Sequence, residues 1–460
     1  MKPDFQDTIV AVSTPPGAGG IAVLRVSGSR ASDVVQACTR GQALPPCRKA
    51  SKRTWQHPDT LEVLDDVVVT LYAEGASYTG ELTAEIACHG SVYVQRVVLQ
   101  SCIDAGARLA QPGEFTQRAF LNGRLDLAQA EGVGDLIASE TAAAHRLALA
   151  QMKGSLSSAL STLREQLIAF AALIELENDF GEEDVEFADR LKLSQSVQEL
   201  QGEVRRLRET FSAGQAIREG VTAVIAGRPN AGKSTVLNAL LAEDRAIVSD
   251  IPGTTRDTIE ATLVIEGVKF TLVDTAGIRE ASDAIEQLGV ARSLEAVSRA
   301  SVLVYVWDAA MTQPAEVGED LAQLRNPSVP LIAVANKMDL HPYDKSDNYS
   351  GFGVSPQEFT PVSARAGMNL GLLKQRLFEF GVGEVPPRGS AVVTQARHVE
   401  SLSQAAQALD RVAAGLSSGL SGDLIALDLR QALHHIGEIT GEIGTDDLLA
   451  SIFSSFCIGK

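Results

Sequence analysis

The stretch VTAVIAGRPNAGKSTVLNALLA, residues 221–242, decides the fold of the central part of the chain. An apolar run typical of a buried strand leads into a glycine-rich loop, and the loop leads into a helix. The segment from Gly227 to Ser234 fits the pattern GxxxxGK[ST] in the context that binds phosphates. In such a loop, backbone N–H groups cradle the phosphates, the Lys233 ammonium reaches the β and γ oxygens, and the Ser234 hydroxyl ligates Mg2+. The stretch predicts a phosphate-binding loop in an α/β domain with a doubly wound sheet.

Three further motifs follow in the order that a guanine-nucleotide domain requires. DTAG (274–277) comes after the strand-like KFTLV, where Asp274 suits the Mg2+ shell and the Gly277 amide would sense the γ-phosphate. NKMD (336–339) comes after PLIAVA, and the Asp339 carboxylate would accept hydrogen bonds from guanine N1 and N2. Ser363-Ala364 would supply an amide to the guanine oxygen, so the four motifs together predict a GTPase. The predicted GTP-binding residues are Asn230, Ala231, Gly232, Lys233, Ser234, Thr235, Ser249, Thr254, Thr255, Asp274, Thr275, Ala276, Gly277, Asn336, Lys337, Asp339, Ser363, Ala364 and Arg365.

The residue after DTAG is Ile278, although many Ras-like switches carry a glutamine there to orient the attacking water. An apolar side chain cannot orient water, so another group is needed. The polar loop SDIPGTTRD (249–257) offers Thr255 as a Mg2+ ligand, and its carbonyls together with Asn230 would enclose a monovalent cation in place of an arginine finger. Glu286 is near enough in sequence to orient the water, with a solvated surface glutamate as the alternative.

Composition excludes several classes of protein. The chain has 460 residues, a formal charge of −18 and five cysteines, at positions 38, 47, 88, 102 and 457. An odd number of cysteines without metal-binding spacing suits a reducing compartment. The N-terminal residues show no signal segment, and no apolar run is long enough to span a bilayer, so we expect a cytoplasmic protein without a membrane span. The acidic charge argues against a broad basic surface for nucleic acid, so an RNA substrate would need a partner to help hold it.

Changes in sequence pattern predict a multidomain α/β protein. Short β-like runs and a helix at 92–105 indicate an N-terminal α+β domain at 1–122. Long amphipathic patterns predict the first part of a helical domain at 123–216 and a second part, with the tail FCIGK, at 381–460. Buried parallel strands at 270–273, 302–307 and 331–335 belong to a Ras-like G domain at 217–380. The similar composition of the two flanking helical parts predicts one helical domain interrupted by an inserted G domain.

The combination of GRPNAGKS, PGTTRD, DTAG followed by Glu286, and the terminal FCIGK resembles the tRNA-modification GTPases of the MnmE (TrmE) family. The resemblance spans all four segments and also covers PPGAGG (15–20), YTGE (78–81) and PGEFTQRAFLNGRLDLAQAE (112–131). It implies a potassium-dependent GTPase whose G domains associate across the nucleotide, with Glu286 orienting water. The potassium ligands that it implies are Asn230, Ser249, Ile251 and Thr254.

The resemblance also implies a folate site and a set of partners. The N-terminal domain would form a homodimer and bind 5-formyl- or methylene-tetrahydrofolate through positions that match Arg25, Glu85, Arg124 and Lys460. With an FAD-dependent partner of the MnmG (GidA) type, in a heterotetramer or a larger assembly, such proteins modify carbon 5 of the wobble uridine of certain tRNAs. An aminomethyl or carboxymethylaminomethyl group is installed there, with the folate as one-carbon donor.

The role of Cys457 and the nature of the RNA-related activity have alternatives. Gly459 and Lys460 are wrong for a prenylation box, and the resemblance puts Cys457 near the folate as nucleophile or acid/base, with a packed cysteine as the alternative. A different class of function is an RNA-binding or ribosome-assembly GTPase without modification chemistry. The acidic charge counts against that class, which also gives the FCIGK tail no role.

Overall fold

The computed structural model describes residues 7–180, 190–243, 259–274, 295–387, 389–443, 446–454 and 456–459. The chain divides into two compact units. The first consists of Met1–Gly134, Met152–Arg164 and Arg430–Lys460, and the second of Asp135–Gln151 and Glu165–Leu429. The domain limits predicted at 122, 216 and 380 stay predictions.

The N-terminal part of the first unit is a six-stranded sheet with three helices, in the strand order β3-β4-β5-β2-β1-β6. Only β1 and β6 pair in parallel, and all other neighbours are antiparallel. The strands are β1 Ile9–Val12, β2 Ile21–Ser27, β3 Ser51–Gln56, β4 Val63–Tyr72, β5 Thr83–His89 and β6 Arg108–Leu109. The helices are α1 Ala31–Cys38, α2 Val92–Asp104 and α3 Glu114–Leu121. The predicted α+β class and the helix at 92–105 are confirmed, whereas the sequence did not predict β3 and β6.

Alternation along the strands explains which face of this sheet is buried. In β2, Ala22, Leu24 and Val26 are buried and the intervening side chains are partly exposed, which is the period of two that a strand with one covered face shows. These residues pack with Trp55 and with the inner sides of α1 and α2. The polar residue Arg25 consequently lies on the other face.

The segment after the N-terminal sheet is helical, as its pattern predicted. The helices are α4 Leu127–Ala138, α5 Ala142–Met152, α6 Ser155–Phe180, α7 Arg190–Glu209 and α8 Phe211–Glu219. Apolar residues at helical spacing face inward in α7, for example Val197, Leu200 and Val204. Within the second unit, α7 packs along a helix from the far end of the chain, described below.

The G domain contains the second sheet, whose strand order is β12-β11-β10-β7-β9-β8. All pairs are parallel except the antiparallel edge pair of β8 and β9. The elements are β7 Val221–Ala226, α9 Lys233–Glu243, β8 Ile259–Ile265, β9 Val268–Asp274, β10 Val302–Asp308, α10 Pro314–Leu324, β11 Leu331–Asn336, β12 Phe359–Pro361 and α11 Leu370–Gly381, with short 3-10 turns at Ser346–Asn348 and Ser350–Phe352. The predicted buried parallel strands are confirmed.

The two faces of this sheet are covered separately, as in a doubly wound fold. Along β10, Val304 and Val306 belong to one core, while Tyr305 and Trp307 belong to the core on the opposite face. Because both faces are buried, β10 is a continuous apolar run rather than an alternating one. The carboxyl ends of the parallel strands leave one edge of the sheet for the loops that carry the predicted motifs.

The helices after the G domain are α12 Ala396–Ser418, α13 Gly422–Thr440 and α14 Asp446–Ser454. Helix α12 packs along α7, where the Gln201 side chain donates to Asp410 at 2.7 Å. The segments on either side of the G domain also touch, since a Cβ at Gly214 would lie 2.2 Å from the carbonyl oxygen of Val393. Similarly, a Cβ at Gly381, the last residue of α11, would lie 2.7 Å from Cγ1 of Val221 at the start of β7. The G domain is therefore an insertion whose two ends lie side by side.

Candidate functional site

The phosphate-binding loop begins where β7 ends. Gly227 has φ +145°, and a Cβ there would lie 2.0 Å from the carbonyl oxygen of Val306 in β10, so only glycine fits. The Lys233 ammonium donates to the carbonyl oxygens of Gly227 and Arg228, each at 3.0 Å. In this position the ammonium lies inside the loop, where phosphate oxygens would otherwise accept its hydrogen bonds.

The middle of the loop is a tight turn over residues 228–231. The Ala231 N–H donates to the carbonyl oxygen of Arg228 at 3.3 Å, and Asn230 adopts φ +63°. Proline at the second position and a residue with positive φ at the third are the signature of a type II turn. The sequence Arg-Pro-Asn-Ala therefore fixes the backbone that presents Asn230.

Ser234 and Asp274 meet at the predicted Mg2+ position. Ser234 lies in the first turn of α9, and its hydroxyl donates to Oδ2 of Asp274 at 3.1 Å. Asp274 is the last residue of β9 and is buried. A hydroxyl and a carboxylate beside the start of α9 form the oxygen donor set that Mg2+ prefers.

Asn336 connects the phosphate loop to the base-binding loop. Its Nδ2 donates to the carbonyl oxygen of Ala231 at 2.9 Å, and its Oδ1 accepts from the Ala364 N–H at 3.1 Å. A Cβ at Gly232 would lie 2.4 Å from Nδ2 of Asn336, which explains the glycine at that position. Three predicted motifs are thus joined by one buried side chain.

Lys337 and Asp339 are each oriented by a neighbour. The Lys337 ammonium donates to Oδ2 of Asp308 at 2.7 Å and to the carbonyl oxygen of Asn230 at 3.0 Å. The Ser363 hydroxyl donates to Oδ1 of Asp339 at 2.5 Å, which holds the carboxylate that would accept from guanine. The sequence motifs did not predict a role for Asp308, although its place at the carboxyl end of β10 was the available signal.

The remaining predicted residues of the G domain fall into two groups. Thr235 and Arg365 are exposed. The other predicted positions in the G domain lie outside the described residues; they are Ser249, Ile251, Thr254, Thr255, Thr275, Ala276, Gly277 and Glu286. Lys460, the last residue of the chain, also lies outside them.

In the N-terminal sheet, Arg25 and Glu85 are directly opposed in the register of β2 and β5. Nε and Nη2 of Arg25 donate to Oε1 of Glu85 at 3.2 and 2.9 Å, and the Tyr72 hydroxyl donates to Oε2 at 3.1 Å. Burial and the Glu85 charge raise the pKa of Tyr72, so the phenol keeps its proton near neutral pH. The guanidinium of Arg25 lies 5.2 Å from the ring centre of Tyr78 and 5.8 Å from that of Phe115. Arg25 and Glu85 were predicted from the sequence, but the aromatic residues around them were not.

Arg124 occupies a different position. Its side chain passes over Gly80, where a Cβ would lie 3.2 Å from Cγ of Arg124. No hydrogen bond or ion pair joins Arg124 to Arg25 or Glu85 in the described part of the chain. Of the four predicted folate residues, Arg25 and Glu85 are in direct contact, and Lys460 lies outside the described residues.

The C-terminal tail lies against β1 in the first unit. The Ser13 hydroxyl donates to the carbonyl oxygen of Gly459 at 3.1 Å, and a Cβ at Gly459 would lie 2.3 Å from the carbonyl oxygen of Val12. Since Val12 pairs with Leu24, the tail contacts the strand next to the one that carries Arg25. Cys457 in this tail is exposed.

Three of the other four cysteines differ from Cys457, whereas Cys47 is exposed as well. Cys38, Cys88 and Cys102 are buried in the core of the N-terminal sheet. Burial raises the pKa of Cys38 to about 12 and that of Cys88 to about 11, so these thiols stay protonated and unreactive. They are structural, whereas the exposed position of Cys457 leaves its thiol accessible.

A second charged cluster in the same domain was not predicted. Arg118 on α3 is fully buried and donates to Asp7 at 2.8 Å, Glu81 at 3.1 Å and Glu114 at 2.9 Å. Arg108 donates to Glu114 and Asp7, each at 2.6 Å. The Asp7–Glu81–Arg108–Glu114–Arg118 set, called here the Arg118 cluster, ties β6 and α3 to the residues before β1.

Comparisons with known proteins agree with this geometry. A family model described as the MnmE helical domain matches residues 127–457, and one described as the GTP-binding protein TrmE N-terminus matches residues 8–124. A tRNA modification GTPase MnmE from Cytophaga hutchinsonii is 46% identical over 454 residues, covering 99% of this chain and 98% of the relative. Another, from Christiangramia forsetii, is 43% identical over 472 residues and covers 99% of this chain and all of the relative. A solved GTP-binding protein from Sulfolobus solfataricus in complex with GDP covers 52% of this chain and 71% of its own at 19% identity, with a TM-score of 0.29, too low to bear on the assignment.

Every helix in the described ranges is too short or too polar to cross a membrane. The matches cover nearly the whole chain and name the activity that the guanine-binding motifs predicted, so they favour tRNA modification over ribosome assembly. A helical family model that spans more than half of the residues and full-length relatives above 40% identity place this chain in the MnmE family of tRNA modification GTPases.

Proposed function

We propose that this chain is a potassium-dependent GTP hydrolase that, with an FAD-dependent partner of the MnmG type, modifies carbon 5 of the wobble uridine of certain tRNAs, with a tetrahydrofolate as one-carbon donor. The observation that carries the proposal is the presence of two polar sites in one chain. One is the guanine-nucleotide edge of the G domain, and the other is the Arg25–Glu85–Tyr72 set on the N-terminal sheet. Since tRNA is the substrate, we place the reaction in the cytoplasm.

The potassium site would consist of Asn230 with Ser249, Ile251 and Thr254. The turn at 228–231 supports this assignment, because it holds Asn230 with φ +63° and Lys337 fixes its carbonyl oxygen at 3.0 Å. A cation bound there would supply the positive charge that an arginine finger supplies elsewhere. Glu286 would orient the attacking water.

The Mg2+ site would consist of Ser234 and Thr255, with Asp274 close by. The 3.1 Å separation between the Ser234 hydroxyl and the Asp274 carboxylate supports the fit. The metal would neutralise charge on the β and γ phosphates. Lys233 would leave the carbonyl oxygens of the loop and donate to phosphate oxygens.

The folate site would use Glu85 for the pterin, and Arg25, Arg124 and Lys460 for the folate carboxylates or neighbouring groups. Each carboxylate oxygen accepts up to two hydrogen bonds. Oε1 of Glu85 already accepts two from Arg25, and Oε2 accepts one from Tyr72. The remaining acceptor position on Oε2 suits the amide or amino edge of a pterin. Cys457 would act as a nucleophile or acid/base, with a packed structural cysteine as the alternative.

The homodimer would form through the N-terminal domain. Ile21, Val92 and Tyr93 are large apolar side chains with exposed fractions of 70%, 60% and 60%. Ile21 opens β2 and the other two open α2, and the preceding glycines are joined by a 3.0 Å bond from the Gly19 N–H to the Gly90 carbonyl. An apolar patch of this kind on a polar domain supports burial against a second copy. The MnmG-type partner, in a heterotetramer or a larger assembly, would help to hold the tRNA, since a formal charge of −18 argues against a broad basic surface on this chain.

The test is steady-state GTP hydrolysis in potassium and in sodium buffers of equal ionic strength, for the parent and for Glu286→Ala. We expect strong stimulation by potassium in the parent and loss of turnover in the variant in both salts. Equal rates of the parent in both salts would refute the cation site. A separate assay of wobble-uridine formation, with purified partner and with or without the folate, tests the modification chemistry independently.

A further inference from the structure

The P-loop arginine, Arg228, has a side chain that no phosphate-binding role explains. It points away from the loop toward α10, where Nε donates to Oδ2 of Asp320 at 2.8 Å and Nη2 donates to Oδ1 at 3.2 Å. Nη1 also donates to the Glu316 carboxylate, one turn earlier on the same helix. Two parallel bonds to one carboxylate are the most directional contact that arginine makes.

Asp320 is itself bonded by a residue of the sheet. The hydroxyl of Tyr305 donates to Oδ2 of Asp320 at 2.5 Å, and Tyr305 is fully buried in β10 and stacks on Trp307 with ring centres 6.0 Å apart. Glu316 is likewise fixed, since its Oε2 accepts from the Gln313 N–H at the start of α10. The arginine is therefore anchored on carboxylates that cannot easily move.

The backbone of the same residue holds the catalytic loop. The carbonyl oxygen of Arg228 accepts from Lys233 at 3.0 Å and from the Ala231 N–H at 3.3 Å, so Arg228 is the first residue of the turn that carries Asn230. The third residue of that turn is held separately by Lys337. The turn is thus fixed at both sides, by Arg228 to α10 and by Lys337 to Asp308 on β10.

We infer that Arg228 is a positioning residue for GTP hydrolysis, which acts by fixing the Arg228–Ala231 turn to α10 so that Asn230 and Lys233 keep their catalytic geometry. It does not itself reach the phosphates, because its guanidinium is committed to Asp320 and Glu316. The inference rests on the GTP hydrolysis that characterises the family. The effect that we expect on the potassium dependence of hydrolysis rests in addition on the proposed cation site at Asn230.

The test compares Arg228→Gln, Arg228→Lys and the parent in GTP turnover, potassium titration and GDP affinity. Glutamine removes both the charge and the paired bonds, and since misplacement of catalytic groups by about 1 Å costs up to ~100-fold, we expect kcat to fall by about 10- to 100-fold. We expect the half-saturating potassium concentration to rise while GDP affinity stays within about threefold, because ground-state binding is retained. Lysine keeps the charge but not the planar fork, so we expect it to restore only a small part of the rate.

Arg325→Gln is the matched control. Arg325 follows the last residue of α10 and also bonds a carboxylate, Glu358 at 2.8 Å, together with the Gly353 carbonyl at 2.6 Å, but it contacts another loop. We expect this control to leave kcat and the potassium dependence unchanged. Asp320→Asn combined with Arg228→Gln should be no slower than Arg228→Gln alone, because the two changes break the same contact.

Several results would overturn the inference. One is an Arg228→Gln variant with unchanged kcat, and another is full recovery by lysine. A third is a loss of GDP affinity as large as the loss of kcat, which would indicate a role in nucleotide binding only. If the parent shows no potassium dependence, the cation proposal fails, and the split between kcat and GDP affinity still decides the role of Arg228.

Discussion

The nucleotide edge of the G domain and the Arg118 cluster of the N-terminal domain organise polar groups in opposite ways. At the nucleotide edge, most contacts run from one side chain to a backbone group, as when Asn336 bonds the Ala231 carbonyl and the Ala364 N–H. In the Arg118 cluster, charged side chains bond one another, and the fully buried Arg118 reaches three carboxylates. The first arrangement leaves groups for a ligand, whereas the second uses its charges within the protein.

The type of contact therefore separates a functional site from a structural one. A backbone-held site is recognisable in sequence, because each residue occupies a set place after a strand and glycine is required where Gly227 and Gly232 meet their neighbours. A side-chain cluster draws Asp7, Glu81 and Arg108 from separate segments to Glu114 and Arg118 on α3, and it has no such pattern. The Arg25–Glu85 pair stands between the two types, since it is a charge pair that stays partly open to solvent.

The largest expected effect comes from removing Arg118. Arg118→Ala removes a fully buried guanidinium; Arg108 still bonds Asp7 and Glu114, but Glu81 loses its ion pair and the buried Glu114 loses one of its two. We therefore expect the N-terminal domain to lose about 3–5 kcal/mol of unfolding free energy. The chain has two tryptophans, Trp55 in the N-terminal core and Trp307 in β10 of the G domain. Denaturant unfolding followed by Trp55 fluorescence in a Trp307→Phe background reports on the N-terminal domain.

Two variants show whether this effect is specific. Arg30→Ala removes an exposed ion pair with Asp33, so we expect a loss below about 1 kcal/mol. Lys233→Ala should give the reverse result, with hydrolysis lowered by about 100- to 1000-fold and Trp55 unfolding unchanged. A Trp55 transition that Arg118→Ala leaves unchanged would show that the cluster does not stabilise the N-terminal domain.

Acid should reveal the same cluster with a smaller effect. Burial opposes ionisation of Glu114, but hydrogen bonds from Arg108, the Gln111 N–H and Arg118 lower its pKa below the ordinary 4.5. A carboxyl whose pKa is lower in the folded state stabilises the fold above its unfolded pKa, and this contribution is lost as the pH falls through the folded pKa. We therefore expect the Trp55 transition to weaken below about pH 4.5 in the parent and to depend less on pH in Glu114→Gln. An identical pH profile for both proteins would contradict this assignment.

The smallest expected effect concerns Tyr72. Tyr72→Phe removes one hydrogen bond to Glu85 without changing the ring, so we expect about fivefold weaker binding of 5-formyltetrahydrofolate, equivalent to ~1 kcal/mol. Isothermal titration with the exposed Tyr343→Phe as control measures this. Equal affinities of Tyr72→Phe and the parent would assign Tyr72 to packing only. No binding by the parent would instead refute the folate site.

The sequence predicted the nucleotide edge better than its surroundings. The pattern GRPNAGKS located Lys233 and Ser234, and runs such as LIAVAN located the strands that carry the motifs. It did not predict that Arg228 binds α10 or that Asp308 binds Lys337, because those contacts join segments far apart in the chain. Tyr72 was missed for the same reason, since its link to Glu85 depends on the pairing of β4 with β5. Propensity and spacing report local order, whereas these contacts depend on strand order and register.

The adjacency of Val221 and Gly381 has a consequence for how the chain can assemble. Helices α7 and α12 must find each other across an insertion of roughly 160 residues, and closing a flexible loop of that length is entropically unfavourable. If the G domain folds first, its neighbouring ends turn the insertion into a link of only ~10 flexible residues, which lowers the closure cost by about 2 kcal/mol at ~0.6 kcal/mol per halving. During synthesis the helical domain would then fold after the G domain that interrupts it, because the folded G domain holds the two ends of the insertion together.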